Sequence, residues 1–182
     1  MKGAFIDRDG VIIEERGYAY RIEDFAPLPG AVAALGELQA AGYRLIVITN
    51  QSGIARGLYS EEDYLAFSAH MERHLEAQGV RLDAVQYCPH LPEAPVARYR
   101  LDCDCRKPGP AMLQRAARRL DIDLASSIVV GDRGTDIAAG RAAGVGRCFL
   151  VRSGHGLAPE EERIADGVYK DLAACVRSLL EE

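Results

Sequence analysis

Positive charge is what this 182-residue chain has least of: 22 Lys and Arg stand against 27 Asp and Glu, a formal net charge of −5. Nonspecific binding to DNA, RNA or an anionic bilayer draws its affinity from a basic face. The balance therefore argues against nucleic acid and membrane as partners, and an anionic substrate would need its cations gathered locally. Long apolar runs are also missing. Leu45-Ile46-Val47-Ile48 falls far short of the ~18 residues of a membrane span. Asp7, Arg8 and Asp9 interrupt the amino-terminal stretch before the apolar core of an export signal can form, so the expected location is the cytoplasm. No internal repeat or low-complexity segment is present, and no disulfide framework. The five cysteines are odd in number, and Cys88, Cys103 and Cys105 crowd into one short region with His90, which fits a reduced compartment and a metal better than disulfides.

What remains is ordinary globular material, 48% hydrophobic and 27% charged. A chain of this length buries roughly 70% of the surface its unfolded form exposes. One domain over residues 1–182, a monomer held by its own core, is expected. A first strand from Lys2 stops on Asp7. Val32, Leu35 and Leu38 recur at helical spacing between Pro29 and Gly42, and Arg44 to Thr49 is a buried-type strand followed by a polar turn, Asn50 to Gly53. Ser60 and Asp63 form a capping-box variant ahead of a helix that places Tyr64, Phe67, Met71 and Leu75 on one face. His70 and His74 fall on its solvated side. Ala84 to Cys88 is the next strand.

Pro89 to Pro108 holds four prolines and no clean period, a loop of a length that compact domains usually keep for function. A helix from Pro110 to Leu120, a strand from Ile128 to Gly131, a helix starting at Thr135 or Asp136, a strand from Arg147 to Val151 and a last helix around Leu172 to Leu180 complete the pattern. This alternation predicts an α/β fold: a Rossmann-like, doubly wound, mostly parallel sheet with helices on both faces and a site at the carboxyl ends of the strands. No large cap domain fits between the elements.

Three strand ends carry polar groups: Asp7 and Asp9, Thr49 and Asn50, Asp132 and Asp136, with Lys107 arriving from the proline-rich loop. Crowded carboxylates repel one another unless a cation neutralises them, and oxygen donors favour Mg²⁺ with phosphate as co-ligand. Taken singly each residue has a plainer explanation. Two acids after a strand commonly solvate a turn or cap a helix, and a lysine before a proline is often a solvated loop charge. Together they point to phosphate chemistry. Cys88, His90, Cys103 and Cys105 offer three thiolates and one imidazole within an 18-residue span, a set suited to closed, structural Zn²⁺, with a redox pair at Cys103 and Cys105 as the rival. Such a clamp would fix the loop that presents Arg106 and Lys107. The Gly53 to Gly57 turn lacks the Lys-Ser/Thr of a nucleotide loop. His155, in a Ser-Gly-His-Gly loop, has no evident role.

Asp7-Arg8-Asp9-Gly10-Val11, Thr49-Asn50, Lys107 and Gly131-Asp132-Arg133-Gly134-Thr135-Asp136 resemble, in order, the four motifs of the haloacid dehalogenase superfamily of Mg²⁺-dependent phosphatases. Val11 stands where threonine is more frequent, and Gly134-Thr135 is also a departure. Asn50 to Gly57 and the cysteine loop resemble the superfamily's zinc-clamped branch, which acts on heptose bisphosphates and histidinol phosphate. The 12 residues between His90 and Cys103 favour the heptose bisphosphates.

The resemblance implies that Asp7 attacks the 7-phosphate of a small sugar phosphate and becomes phosphorylated, while Asp9 protonates the leaving oxygen and later activates water. It implies Mg²⁺ on the Asp7 side chain, the Asp9 carbonyl and Asp132, with Thr49 and Lys107 on the phosphoryl group and Asp136 in support. Arg106 and Arg133 would recognise the rest of the substrate, and Glu15, Arg16, Gly17, Tyr18, Asn50, Gln51 and Ser52 would line its pocket. One anomer of such a heptose belongs to lipopolysaccharide core assembly, the other to nucleotide-sugar synthesis. A phospho-acceptor signalling domain gathers similar groups, but Asp9 two residues after Asp7 serves a lasting phospho-aspartate badly.

Overall fold

A computed structural model describes residues 1–181 of the chain. In chain order the elements are β1 (Gly3–Ile6), α1 (Ala31–Ala40), β2 (Arg44–Asn50), α2 (Ser52–Ala55), α3 (Glu61–Glu76) and β3 (Ala84–Cys88). After the long loop come α4 (Ala111–Leu120), β4 (Ile128–Gly131), α5 (Gly134–Ala143), β5 (Arg147–Val151), α6 (Pro159–Arg163), β6 (Gly167–Tyr169) and α7 (Leu172–Leu180). The six strands form one sheet in the order β3-β2-β1-β4-β5-β6, with every pairing parallel.

The strands are short and apolar because both faces are covered, and alternate residues separate cleanly between the two cores. Ala4, Ile6, Leu45, Val47, Ile128 and Val130 turn to the face packed by Leu35, Leu38, Phe67, Met71 and Val176 of α1, α3 and α7. Phe5, Ile46, Ile48 and Val129 turn to the opposite face, against Met112, Leu113, Ala116, Ile137 and Ala139 of α4 and α5.

Topology sets the position of the site. The chain winds outward from β1 through β2 to β3, then returns to lay β4 on the other side of β1, so strand order reverses between β1 and β4. Such a reversal opens a crevice at the carboxyl ends of the two strands. Ile6 pairs with Val130 and the amide of Asp7 donates to Val130 O at 3.0 Å. Asp7 and Asp132 therefore emerge beside each other.

The structure differs from the sequence expectations in several places. Asn50 to Gly53, expected as a polar turn, leads directly into α2, whose Gly53, Ile54 and Ala55 are buried, the last two in a small cluster with Tyr59, Tyr64, Ala94 and Tyr99. Helix α5 starts at Gly134, one residue earlier than expected, because the Arg133 amide donates to the Asp136 carboxylate at 3.1 Å and closes the turn. The sheet gains β6, three residues held by pairing with β5. His70 and His74 are half-buried rather than solvated, edge-on to Phe25 at 5.1 and 5.0 Å.

Candidate active site

Lys107 is the centre of charge. Only 4% exposed, its ammonium lies 2.9 Å from Asp7 Oδ1 and 2.6 Å from Asp136 Oδ1 and donates to the Ile48 carbonyl at 3.0 Å. Burial alone would depress its pKa, but the Asp136 and Asp7 carboxylates outweigh burial and hold it above the ordinary lysine value. Asp7 goes the other way. Burial pushes its carboxyl well up, Lys107 opposes this, and Asp136 and Asp132 add to the rise. The backbone of Lys107 is clamped to the end of β2 by one side chain: Asn50 Oδ1 accepts its N–H at 3.0 Å and Asn50 Nδ2 donates to its carbonyl at 3.1 Å.

Asp9 sits in a separate net. The Arg8 guanidinium grips it with two bonds, Nε at 3.1 Å and Nη2 at 3.0 Å. Arg8 is 1% exposed, lies over the Phe67 ring at 4.8 Å and donates to Ala19 O at 3.1 Å. Burial tends to lower its pKa, and Asp9 more than offsets this. Gln51 Nε2 donates to Asp9 Oδ2 at 3.2 Å and to Thr49 Oγ1 at 2.8 Å, while Gln51 Oε1 accepts the Tyr59 hydroxyl at 2.6 Å. Thr49 Oγ1 in turn lies 3.5 Å from Asp9 Oδ2.

Asp7, Asp132 and Asp136, all buried, bring one carboxylate oxygen each within 4.8 Å of one another. Lys107 is a single charge against these three acids, and Asp132 Oδ1 has no hydrogen-bond partner although buried. An unpaired buried carboxylate oxygen is costly. A hard divalent cation with oxygen ligands removes that cost, so the residues fit Mg²⁺. The Asp9 carboxylate, engaged by Arg8 and Gln51, stands outside this trio.

The second cluster forms as the spacing suggested. The sulfurs of Cys88, Cys103 and Cys105 lie 3.1 to 3.5 Å apart, and His90 Nδ1 lies 3.3 to 3.8 Å from them. All five cysteines are free. Burial raises the Cys88 thiol well above its ordinary pKa, which a bound cation reverses. Three sulfurs and one ring nitrogen at this spacing suit a single tetrahedral Zn²⁺.

A cavity of about 400 Å³ opens over the acids. Glu15, Gly17, Tyr18, Asn50, Gln51, Ser52, Arg106 and Arg133 border it. Arg16 does not. It is exposed and paired with Glu14 at 2.7 Å, because the turn at Gly17, φ +79°, brings Glu15 and Tyr18 to the cavity while Arg16 is drawn to Glu14. Burial raises the Glu15 carboxyl above its ordinary value. Sequence reasoning missed Arg8, Arg56, Tyr59, Thr135 and His155, which also border the cavity. Arg8 and Thr135 lie inside motifs the sequence shows, whereas Tyr59 carries no local signal.

The profile described as HAD-hydrolase-like matches residues 104–175. A D-glycero-alpha-D-manno-heptose-1,7-bisphosphate 7-phosphatase of Photorhabdus laumondii is 41% identical over 181 residues, 100% of this chain and 97% of the relative. A D-glycero-beta-D-manno-heptose-1,7-bisphosphate 7-phosphatase of Escherichia coli K12 is 44% identical over 169 residues, 93% of this chain and 88% of the relative. Among solved structures, the D,D-heptose 1,7-bisphosphate phosphatase of B. bronchiseptica, complexed with magnesium and phosphate, superposes with a TM-score of 0.83. It is 35% identical, with 100% of this chain and 99% of that one covered.

Proposed function

We propose that this chain, which belongs to the haloacid dehalogenase-like phosphatases, removes the 7-phosphate of D-glycero-D-manno-heptose 1,7-bisphosphate. The observation that carries the reading is one cavity bordered both by the Asp7, Asp9 and Lys107 machinery and by the guanidinium groups of Arg106 and Arg133. A bisphosphate needs such a second cationic subsite, and Arg106 Nη1 is buried without a partner, a donor free for a phosphate oxygen.

Asp7 attacks the 7-phosphorus in line, and the bond from phosphorus to the sugar oxygen breaks. Asp9 gives that oxygen its proton. In the second step Asp9, now ionised, takes a proton from water, whose oxygen attacks the acyl phosphate and releases inorganic phosphate and Asp7. Lys107 and Thr49 hold the phosphoryl oxygens, and Asp136 keeps Lys107 charged and in place. Magnesium, held by the Asp7 and Asp132 carboxylates and the Asp9 carbonyl, supplies charge neutralisation on the transferring oxygens. Cys88, His90, Cys103 and Cys105 hold a structural zinc that fixes Arg106 and Lys107, the two residues after Cys105. The protein works as a single-domain monomer in the cytoplasm. No helix among the described residues is long and apolar enough to cross a membrane.

The test is Mg²⁺-dependent phosphate release from both anomers of the heptose 1,7-bisphosphate, with histidinol phosphate in parallel and Asp7→Asn as blank. Release of one phosphate per heptose supports the reading, and the preferred anomer assigns the pathway. Preference for histidinol phosphate overturns the substrate while leaving the catalytic roles in place.

A further inference from the structure

His155 follows β5 in the segment Arg152 to Gly156, on a loop built to meet Asp132. Ser153 Oγ donates to the Gly10 carbonyl at 2.7 Å, tying this loop to the one that carries Asp7 and Asp9. Gly10 and Gly154 face each other across Asp132, and a Cβ on either would collide with its carboxylate. The close approach brings two donors from one residue onto a single oxygen: the backbone N–H of His155 at 3.0 Å and its Nδ1 at 2.6 Å both meet Asp132 Oδ2. A carboxylate accepts only, so the ring proton is on Nδ1. The Nε2 lone pair then faces the Arg133 guanidinium, whose Nη2 is in direct contact with it. Arg133 Nε also points its N–H at Nδ1, at 3.1 Å, but the shorter contact of Nδ1 with Asp132 Oδ2, at 2.6 Å, takes precedence at that atom, and the Glu15 carboxylate, 3.7 Å from Nε2, stands beyond hydrogen-bond range.

We propose that His155 is a positioning residue that serves both ends of the site through one ring. Its Nδ1–H and backbone N–H fix Asp132 Oδ2, leaving Oδ1 as the atom free to bind the cation, and its Nε2 holds Arg133 for the substrate. This rests on the reading of Asp132 as a magnesium ligand. Partners of this kind orient the group they touch, and their loss typically weakens metal affinity by about 10- to 100-fold.

The two nitrogens can be tested separately, because an asparagine amide falls near the position of Nδ1 and a glutamine amide near that of Nε2. Mg²⁺ binding is measured by calorimetry on the substrate-free protein, and KM for the heptose bisphosphate by phosphate release. His155→Ala is expected to weaken Mg²⁺ binding about 10- to 100-fold and to raise KM. His155→Asn, keeping a donor for Asp132, recovers Mg²⁺ binding but not KM, and His155→Gln, keeping an acceptor for Arg133, recovers KM but not Mg²⁺ binding.

Mg²⁺ affinity of His155→Ala within about two-fold of the parent, well inside the range expected for such a partner, would overturn the inference. So would identical behaviour of the Asn and Gln variants, a comparison that stands even if the Ala variant fails to fold. A parent protein whose Mg²⁺ affinity survives Asp132→Asn overturns the metal reading itself, and the inference with it.

Discussion

A carboxylate that must give up a proton in one step and take one in the next needs a fixed position more than a fixed charge. Asp9 has both an ionic and an amide partner, Arg8 and Gln51, and Gln51 is itself held by Tyr59. Asp9→Asn is expected to fold normally and to lose turnover by roughly 10²- to 10⁴-fold, the usual weight of a positioned acid and base, as read by phosphate release. Asp7→Asn should show no turnover at all with an unchanged circular dichroism spectrum, and activity retained there would overturn Asp7 as nucleophile. Tyr59→Phe removes only the bond to Gln51. A loss of about 1 kcal/mol appears as a roughly five-fold drop in kcat with KM unchanged. Asp7 and Asp9 were legible in the sequence because they lie two residues apart after an apolar strand. Tyr59 was not, since what makes it relevant is an amide eight residues away that only the turn into α2 brings under its hydroxyl.

The long loop between β3 and α4 is irregular in its backbone and yet tightly held. Asn50 clamps its end at Lys107, the thiol and imidazole cluster ties its start at Cys88 and His90 to Cys103 and Cys105 near its end, and Glu61 at the start of α3 accepts from Tyr87 at 2.5 Å and Tyr99 at 2.8 Å. Cys103→Ser is expected to lose zinc and to raise KM more than it lowers kcat, because Arg106 and Lys107 lose their support. Elemental analysis of the unaltered protein should find zinc, and its absence would sink the clamp. The Tyr87 bond, more than that from Tyr99, draws the Glu61 carboxyl below its ordinary pKa. A folded-state pKa below the unfolded one gives stability that is full above the ordinary glutamate range and lost as pH falls through the lowered value. Glu61→Gln should therefore cost no more than about 1 kcal/mol at neutral pH, given the exposure of the group, and the difference from the parent in thermal melts should vanish on acidification. The cysteine spacing announced this cluster, whereas the Glu61 anchor joins residues 26 and 38 positions apart and leaves no pattern along the chain.

For the whole molecule, the proposed single-domain monomer predicts for 182 residues a radius of gyration of about 16 Å. Small-angle scattering should return that value, and a clearly larger one would replace the monomer by an oligomer or an extended form. Sequence alone determined the alternation of strands and helices, the covering of both sheet faces and the phosphate chemistry, because periodicity, capping and motif order are properties of neighbouring residues. Tertiary structure alone decided what long-range packing controls. It decided that three residues at Gly167–Tyr169 become an edge strand, because β5 offers them a partner, and that Arg16 leaves the pocket, because Glu14 claims it outside. It also decided that His155 belongs to the site, because two glycines 144 positions apart let its loop reach the carboxylate of Asp132.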